Sequence, residues 1–343
     1  MMSFFVSRPS TQPEQAPVKI VTRSTIMLCL VSTLLLLTLQ WALAGAPKVE
    51  VGSPPKYAFF TFPPQAPVAK ILYVTTTPGQ IDEKKERWEP ALAQGRIRLP
   101  INCEMKIDLS FASLEHMNVL EQLYPCRVVW FSAANLDFED RHMQYARGFK
   151  DLRRLNLVDT LVTDKSLTQI GLFEKLSTLR LNATDVTGSG FGSLKNLHNL
   201  CDLNIEGIDL QPGTIARLKP LMANLQSFDV AKTGLTKKDA AILKELKVVH
   251  DLSISANRQM DNDCVNYLGH LKELKSLSIF DTSITDKSIP ILIKMPQLRT
   301  VKVRDKEFWT SIKHQTKYGQ VEFIDVSRST TIQSDFFSPL HLH

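Results

Sequence analysis

Cysteine is rare in this chain of 343 residues, with five in all, scattered and never in a C-x-x-C pair. That spacing excludes a disulfide scaffold and argues against a structural zinc site. Also missing are a P-loop, a G-x-S-x-G elbow, an H-x-x-x-H pair and any Cys–His grouping. No catalytic residue, metal site or cofactor is expected, and the chain reads as a non-enzyme. Long Lys/Arg runs are absent too, and the net charge of +6 is modest for this length, so nucleic acid is not an expected partner. What remains, 43% hydrophobic and 22% charged, is ordinary globular composition with no sign of wholesale disorder.

Charge is missing altogether from Ile26 to Ala46, "IMLCLVSTLLLLTLQWALAGA". As a helix this run spans roughly the ~30 Å of a hydrocarbon core, and Trp41 suits its interface. Residues 1–25 carry Arg8, Lys19 and Arg23 against Glu14, so the positive-inside rule keeps them cytoplasmic and sends the rest across. Residues 26–46 are therefore expected as a transmembrane anchor. The small residues Ala42 and Ala44 keep a second outcome open, cleavage after Ala44 and a secreted chain. A proline-rich linker is expected over 47–69, an N-terminal cap over 70–125, repeats over 126–327 and a tail over 328–343. Within the linker, "YAFFTF" from Tyr57 to Phe62 could form a strand or lie on the domain that follows.

The phrases "LNLVDTLVTDKS" from Leu155 and "LSIFDTSITDKS" from Leu277 are nearly the same. They belong to a template with apolar residues at positions 1, 4 and 6, often Thr at 9, an aliphatic at 11, then Thr and Asp. Position 1 falls at Cys126, Leu152, Leu176, Leu200, Leu225, Val249, Leu274, Leu298 and Val321, at spacings of 26, 24, 24, 25, 24, 25, 24 and 23. L-x-x-L-x-L at this period resembles the leucine-rich repeat family, and Thr160, Thr184, Thr233 and Thr282 stand where its cysteine-containing, ribonuclease-inhibitor-like branch often has Cys or Asn. The resemblance implies an α/β solenoid, a curved parallel sheet with helices on the convex side, and a partner-binding concave face. Cys103 and Cys126, 23 residues apart, would then be close enough for a disulfide or remain two buried thiols.

Leu152, Leu155 and Leu157 are expected to point inward from a strand, and Leu167, Ile170 and Leu172 to line the following helix. Thr163, Thr187, Thr236 and Thr285 read as N-caps, with Asp164 and Asp286 favourable at the helix start. "GSGFG" at Gly188–Gly192 aligns with "DKSLT" one repeat earlier, so it opens a helix rather than cradling phosphate. "DNDC" at Asp261–Cys264 lacks the other ligands of a calcium loop, and His341 and His343 lie in a polar tail.

Positions 3, 5 and 7 should face the hollow of the solenoid. In the first copy these are Val128, Trp130 and Ser132. Along the later copies they put Asp202, Glu206, Asp229 and Asp251 at the centre, Arg154 and Arg180 on one side, and Lys302 and Arg304 on the other. Trp130 and Phe280 are expected as exposed aromatics. This face is the candidate site, and its expected partner is a basic or mixed-charge protein or peptide.

Overall fold

A computed structural model describes residues 57–74, 88–100, 103–309 and 317–328. The segments expected as cytoplasmic, as membrane anchor and as tail beyond Arg328, with His341 and His343, lie outside the described residues. Among the described residues no helix is long and apolar enough to cross a membrane.

The repeats build one long sheet. Its parallel strands are β5 (Glu104–Leu109), β6 (Arg127–Ser132), β7 (Arg154–Asn156), β8 (Thr178–Arg180), β9 (Asp202–Asn204), β10 (Ser227–Asp229), β11 (Asp251–Ser253), β12 (Ser276–Ser278), β13 (Thr300–Val303) and β15 (Val321–Asp325), each beside the next in chain order. Sequential parallel neighbours follow from the repeat, because one strand and one helical return cannot bury both their apolar faces alone. Leu155, Leu179, Leu203, Phe228, Leu252, Leu277 and Val301 stand side by side in register, all fully buried.

Both edges are closed by antiparallel strands, which leaves no long parallel edge exposed. β2 (Ala69–Val74) runs antiparallel beside β5, with β3 (Glu89–Leu92) outside it, and β14 (Lys317–Tyr318) closes the other end against β15. A separate two-stranded ribbon pairs β1 (Tyr57–Thr61) with β4 (Arg96–Pro100). Strand β1 therefore lies inside the stretch expected as a proline-rich linker, and Phe60, Phe62 and Val68 are buried there. At the far end Phe308, Trp309, Tyr318 and Phe323 pack ring on ring, with centroids 4.9 to 6.0 Å apart, and cover the last coil.

Two registers differ from the sequence template. Phe131, not Val129, pairs with Leu155, so the first copy starts at Val128, 24 residues before Leu152. Val128 is fully buried and does not reach the open face. The run "VVWF" is apolar at every place, so alternation could not fix its phase. In the last copy Phe323 pairs with Val301, which moves the start one residue ahead of Val321.

The return segments are short helices, among them Asp164–Ile170, Lys237–Leu243 and Asn262–Leu268, mixed with 3-10 turns such as Asp140–Ala146 and Phe191–Asn196. Leu167 and Ile170 are buried as expected. Leu172 is not: it is 69% exposed, and Phe173 fills the core. The helix ends at Ile170, and the 3-residue step to Phe173 carries the inner face past Leu172.

Thr163 and Thr236 cap their helices, Thr236 in a capping box with Asp239, and Asp261 caps Asn262–Leu268. Thr187 and Thr285 do different work. Thr187 donates its hydroxyl to Asp164 of the preceding coil at 2.6 Å, and Asp164 also accepts from the N–H groups of Thr187 and Gly190, at 2.9 and 2.7 Å. Asp140 binds Thr163 and Ser166 in the same way, and Asn262 binds Thr285. The Thr-Asp phrase therefore staples one coil to the next.

Candidate functional site

On the open face of the sheet, register places position 3 of each copy in one row and position 5 in another. The first row runs Trp130, Arg154, Thr178, Asp202, Ser227, Asp251, Ser276, Thr300. The second runs Asn156, Arg180, Asn204, Asp229, Ser253, Ser278, Lys302. Glu206, Phe280 and Arg304 follow two residues beyond the second row in their own copies. The ten candidate residues thus share one face.

Position 5 ties the chain down locally. Asn156, Asn204 and Asp229 each accept from the N–H two residues on, Asp229 from Ala231 at 2.9 Å. The chain then turns through a left-handed residue at position 8: Asn135, Asp159, Ala183, Gly207, Lys232, Ala256 and Asp281 all have positive φ. Position 9 closes the turn from inside. Thr160, Thr184, Thr233 and Thr282 donate to the carbonyl three residues back at 2.6 to 2.8 Å, and Asn257 spreads the same function over two coils. The fold is a leucine-rich-repeat solenoid.

The centre of its open face is less solvated than its sequence implies. Asp202, between Thr178 and Ser227 in its row, and Asp229, between Asn204 and Ser253 in its own, are only 4% and 5% exposed. Asp251 is half-buried and Glu206 is exposed. Burial pushes Asp229 up to about 7, and the nearby charges of Glu206 and Asp202 push the same way against its hydrogen bonds to Ala231 and Ser253. Burial pushes Asp202 up to about 6, opposed by Arg180 and Arg154. Burial likewise raises Asp251, against His250, Lys275 and Lys302, and partial loss of solvent around the exposed Glu206 raises it against Lys232. One carboxylate oxygen of Asp202 is buried without a hydrogen-bond partner among the described residues.

The two expected exposed aromatics are half-buried, each beside cations. Lys106 and Arg154 lie 5.1 and 6.0 Å from the Trp130 ring centre. Lys106 also sits 3.9 Å over the Trp88 ring, a pair that the sequence pattern did not reveal. Trp88 lies outside any repeat, so only the pairing of β5 with β6 brings its cation partner to this face. At the other end Arg304 approaches the Phe280 ring at 6.0 Å and binds Asp281 at 2.9 Å.

Other motifs resolve structurally. Phe191 of "GSGFG" is fully buried, and a side chain on Gly190 would meet the Asp164 carbonyl at 2.8 Å. Asp261 of "DNDC" pairs with Lys237. Among the described residues no group of His, Cys, Asp and Glu could hold a metal. Cys103 and Cys126 directly precede the paired residues Glu104 and Arg127, and both are buried free thiols.

Two solved structures from Listeria monocytogenes are similar to the chain. An internalin C2 is 24% identical, with 57% of this chain and 73% of that one covered and a TM-score of 0.42. An internalin (inlF) is 20% identical, with 62% of this chain and 58% of that one covered and a TM-score of 0.42, so the chain spans less than two thirds of it. No family model and no curated protein matches the chain.

Proposed function

We propose that the solenoid is a binding module without catalytic activity, held outside the cytoplasmic membrane by residues 26–46, and that its open face receives a protein or peptide partner. The observation that carries this reading is the buried carboxylate pair Asp202 and Asp229 at the centre of a polar face, one oxygen of Asp202 having no hydrogen-bond partner among the described residues. Keeping such groups ionised without compensation costs stability. A lysine or arginine from a partner, set over this pair, would offset that cost. Arg154 and Arg180 on one flank, and Lys302 and Arg304 on the other, would take acidic groups of the same partner. Trp130 and Phe280 supply apolar area beside them.

The test changes Asp202, Asp229 and Asp251 together to Asn. A partner recovered with the native protein should be lost from the triple variant, and its binding to the native protein should weaken as salt is raised. Retention of the partner by a folded triple variant refutes the docking site.

Ala42 and Ala44 favour a second reading, a chain cleaved after Ala44 and secreted as a soluble effector or inhibitor. The mass of the mature N-terminus separates the two. An intact N-terminus in the membrane fraction supports the anchor, and a chain starting at Gly45 in the soluble fraction supports secretion.

A further inference from the structure

The β1–β4 ribbon has one face turned to the core and one turned away. Phe60 and Leu99 are buried on the inner face. The outer face carries Tyr57, Phe59 and Thr61 from β1 with Arg96 and Arg98 from β4. Phe59 is 61% and Tyr57 is 42% exposed, and an arginine lies over each ring: Arg96 at 4.4 Å from Phe59, Arg98 at 4.2 Å from Tyr57. Leu92 and Phe111 of the same N-terminal cap are also exposed, at 56% and 70%. Among the described residues, three of the four most exposed large apolar side chains therefore fall between residues 57 and 111. Folding gains nothing from exposing the adjacent rings of Tyr57 and Phe59 under their two arginines, which makes the outer face of the ribbon a candidate contact surface.

Its chemistry matches one kind of surface. Aromatic rings concentrate at the headgroup level of a bilayer, and guanidinium groups bind phosphate in pairs of hydrogen bonds. The two strands hold two arginines and no acid, which suits an anionic surface. Position agrees with chemistry: the uncharged run ends at Ala46 and Tyr57 comes eleven residues later. Even fully extended, that length holds the ribbon within about 40 Å of the bilayer. We propose that the outer face of the β1–β4 ribbon rests on anionic lipid headgroups and so orients the solenoid on the membrane. This inference rests on the anchored reading of residues 26–46.

The test places the full chain in nanodiscs of phosphatidylcholine, with or without phosphatidylglycerol, containing brominated acyl chains that quench nearby indoles. A Phe59→Trp variant should show added quenching over the parent chain, about twofold stronger with phosphatidylglycerol. A Leu172→Trp variant, at an exposed place on the helical side, should show none. Arg96→Glu with Arg98→Glu should abolish the added quenching while the urea unfolding midpoint holds. Equal quenching at positions 59 and 172, or no dependence on phosphatidylglycerol, overturns the proposal. If the chain stays soluble and uninserted, the anchored reading fails; the Phe59→Trp chain is then mixed with brominated vesicles containing phosphatidylglycerol. Quenching there upholds the headgroup surface, and its absence overturns it.

Discussion

At the scale of single residues, the turn after each strand shows how a repeat constrains its spelling less than its shape. Position 8 takes the left-handed conformation in successive coils, yet only Gly207 is a glycine there. The others store roughly 1 kcal/mol of strain each, repaid in Asn135, Asp159, Ala183, Lys232 and Ala256 because the N–H reaches the carbonyl of the next coil, as Ala183 reaches Glu206 at 2.9 Å. Gly207→Ala should cost about 1 kcal/mol from backbone strain alone, since an added Cβ meets nothing closer than 3.8 Å. Ala256→Gly should gain a similar amount, and urea unfolding measures both.

Asp229 makes a second claim at this scale. Its folded pKa, about 7, lies above the ordinary carboxylate value, so the folded chain binds the proton more tightly than the unfolded one. Its contribution to stability is therefore full below pH ~4 and lost as pH rises to ~7, a swing of roughly 2–4 kcal/mol. Asp229→Asn should unfold later than the parent at pH 8 and differ little from it at pH 4. Equal unfolding midpoints at pH 8 would mean that the ionised group is not isolated from water. Burial also pushes the Cys103 thiol up to about 12 and the Cys126 thiol up to about 11. Native protein should leave both unalkylated by iodoacetamide at pH 8, and urea should expose them.

At the scale of elements, the coils are joined by side chains as well as by strands. Burial alone would raise Asp164 and Asp140, but hydrogen bonds outweigh it and hold both below the ordinary value. Such groups stabilise the fold above the unfolded carboxylate pKa and lose that contribution as pH falls below about 4. Asp164→Ala leaves the hydroxyl of Thr187 and two N–H groups without their acceptor, and should cost about 2–3 kcal/mol. Thr187→Ser keeps the hydroxyl and should cost less than half of that. Leu203→Asp puts a charge where the side chain is fully buried and should remove more than about 3 kcal/mol. Hydrogen exchange should then rise first in β8, β9 and β10.

At the scale of the whole molecule, stability is a chain of neighbour contacts closed by two unlike ends. Mixed antiparallel strands and large aromatics, Phe131, Phe138 and Phe149, fill the N-terminal end, while the cluster around Trp309 seals the other. Removing the final seal with Phe323→Ala should lower the cooperativity of unfolding and speed exchange in β13 and β15 before β9. Uniform loss of protection along the sheet would contradict a stack of semi-independent coils.

The period of 24 residues and the apolar positions 1, 4 and 6 were legible from spelling alone, because a side chain that must be buried in every copy admits few residue types. That determined the parallel sheet, its strand order and the residues of its open face. Phase is legible only where polar and apolar residues alternate, which "VVWF" around Val128 does not do, and the end of the helix at Ile170, which leaves Leu172 in solvent, has no mark in the spelling. Tertiary structure decided what repetition does not encode: the burial of Asp202 and Asp229, the meeting of Trp88 with Lys106, and the two caps. Those features depend on which coil lies beside which, and on the size of the neighbour's side chain, and a period carries neither.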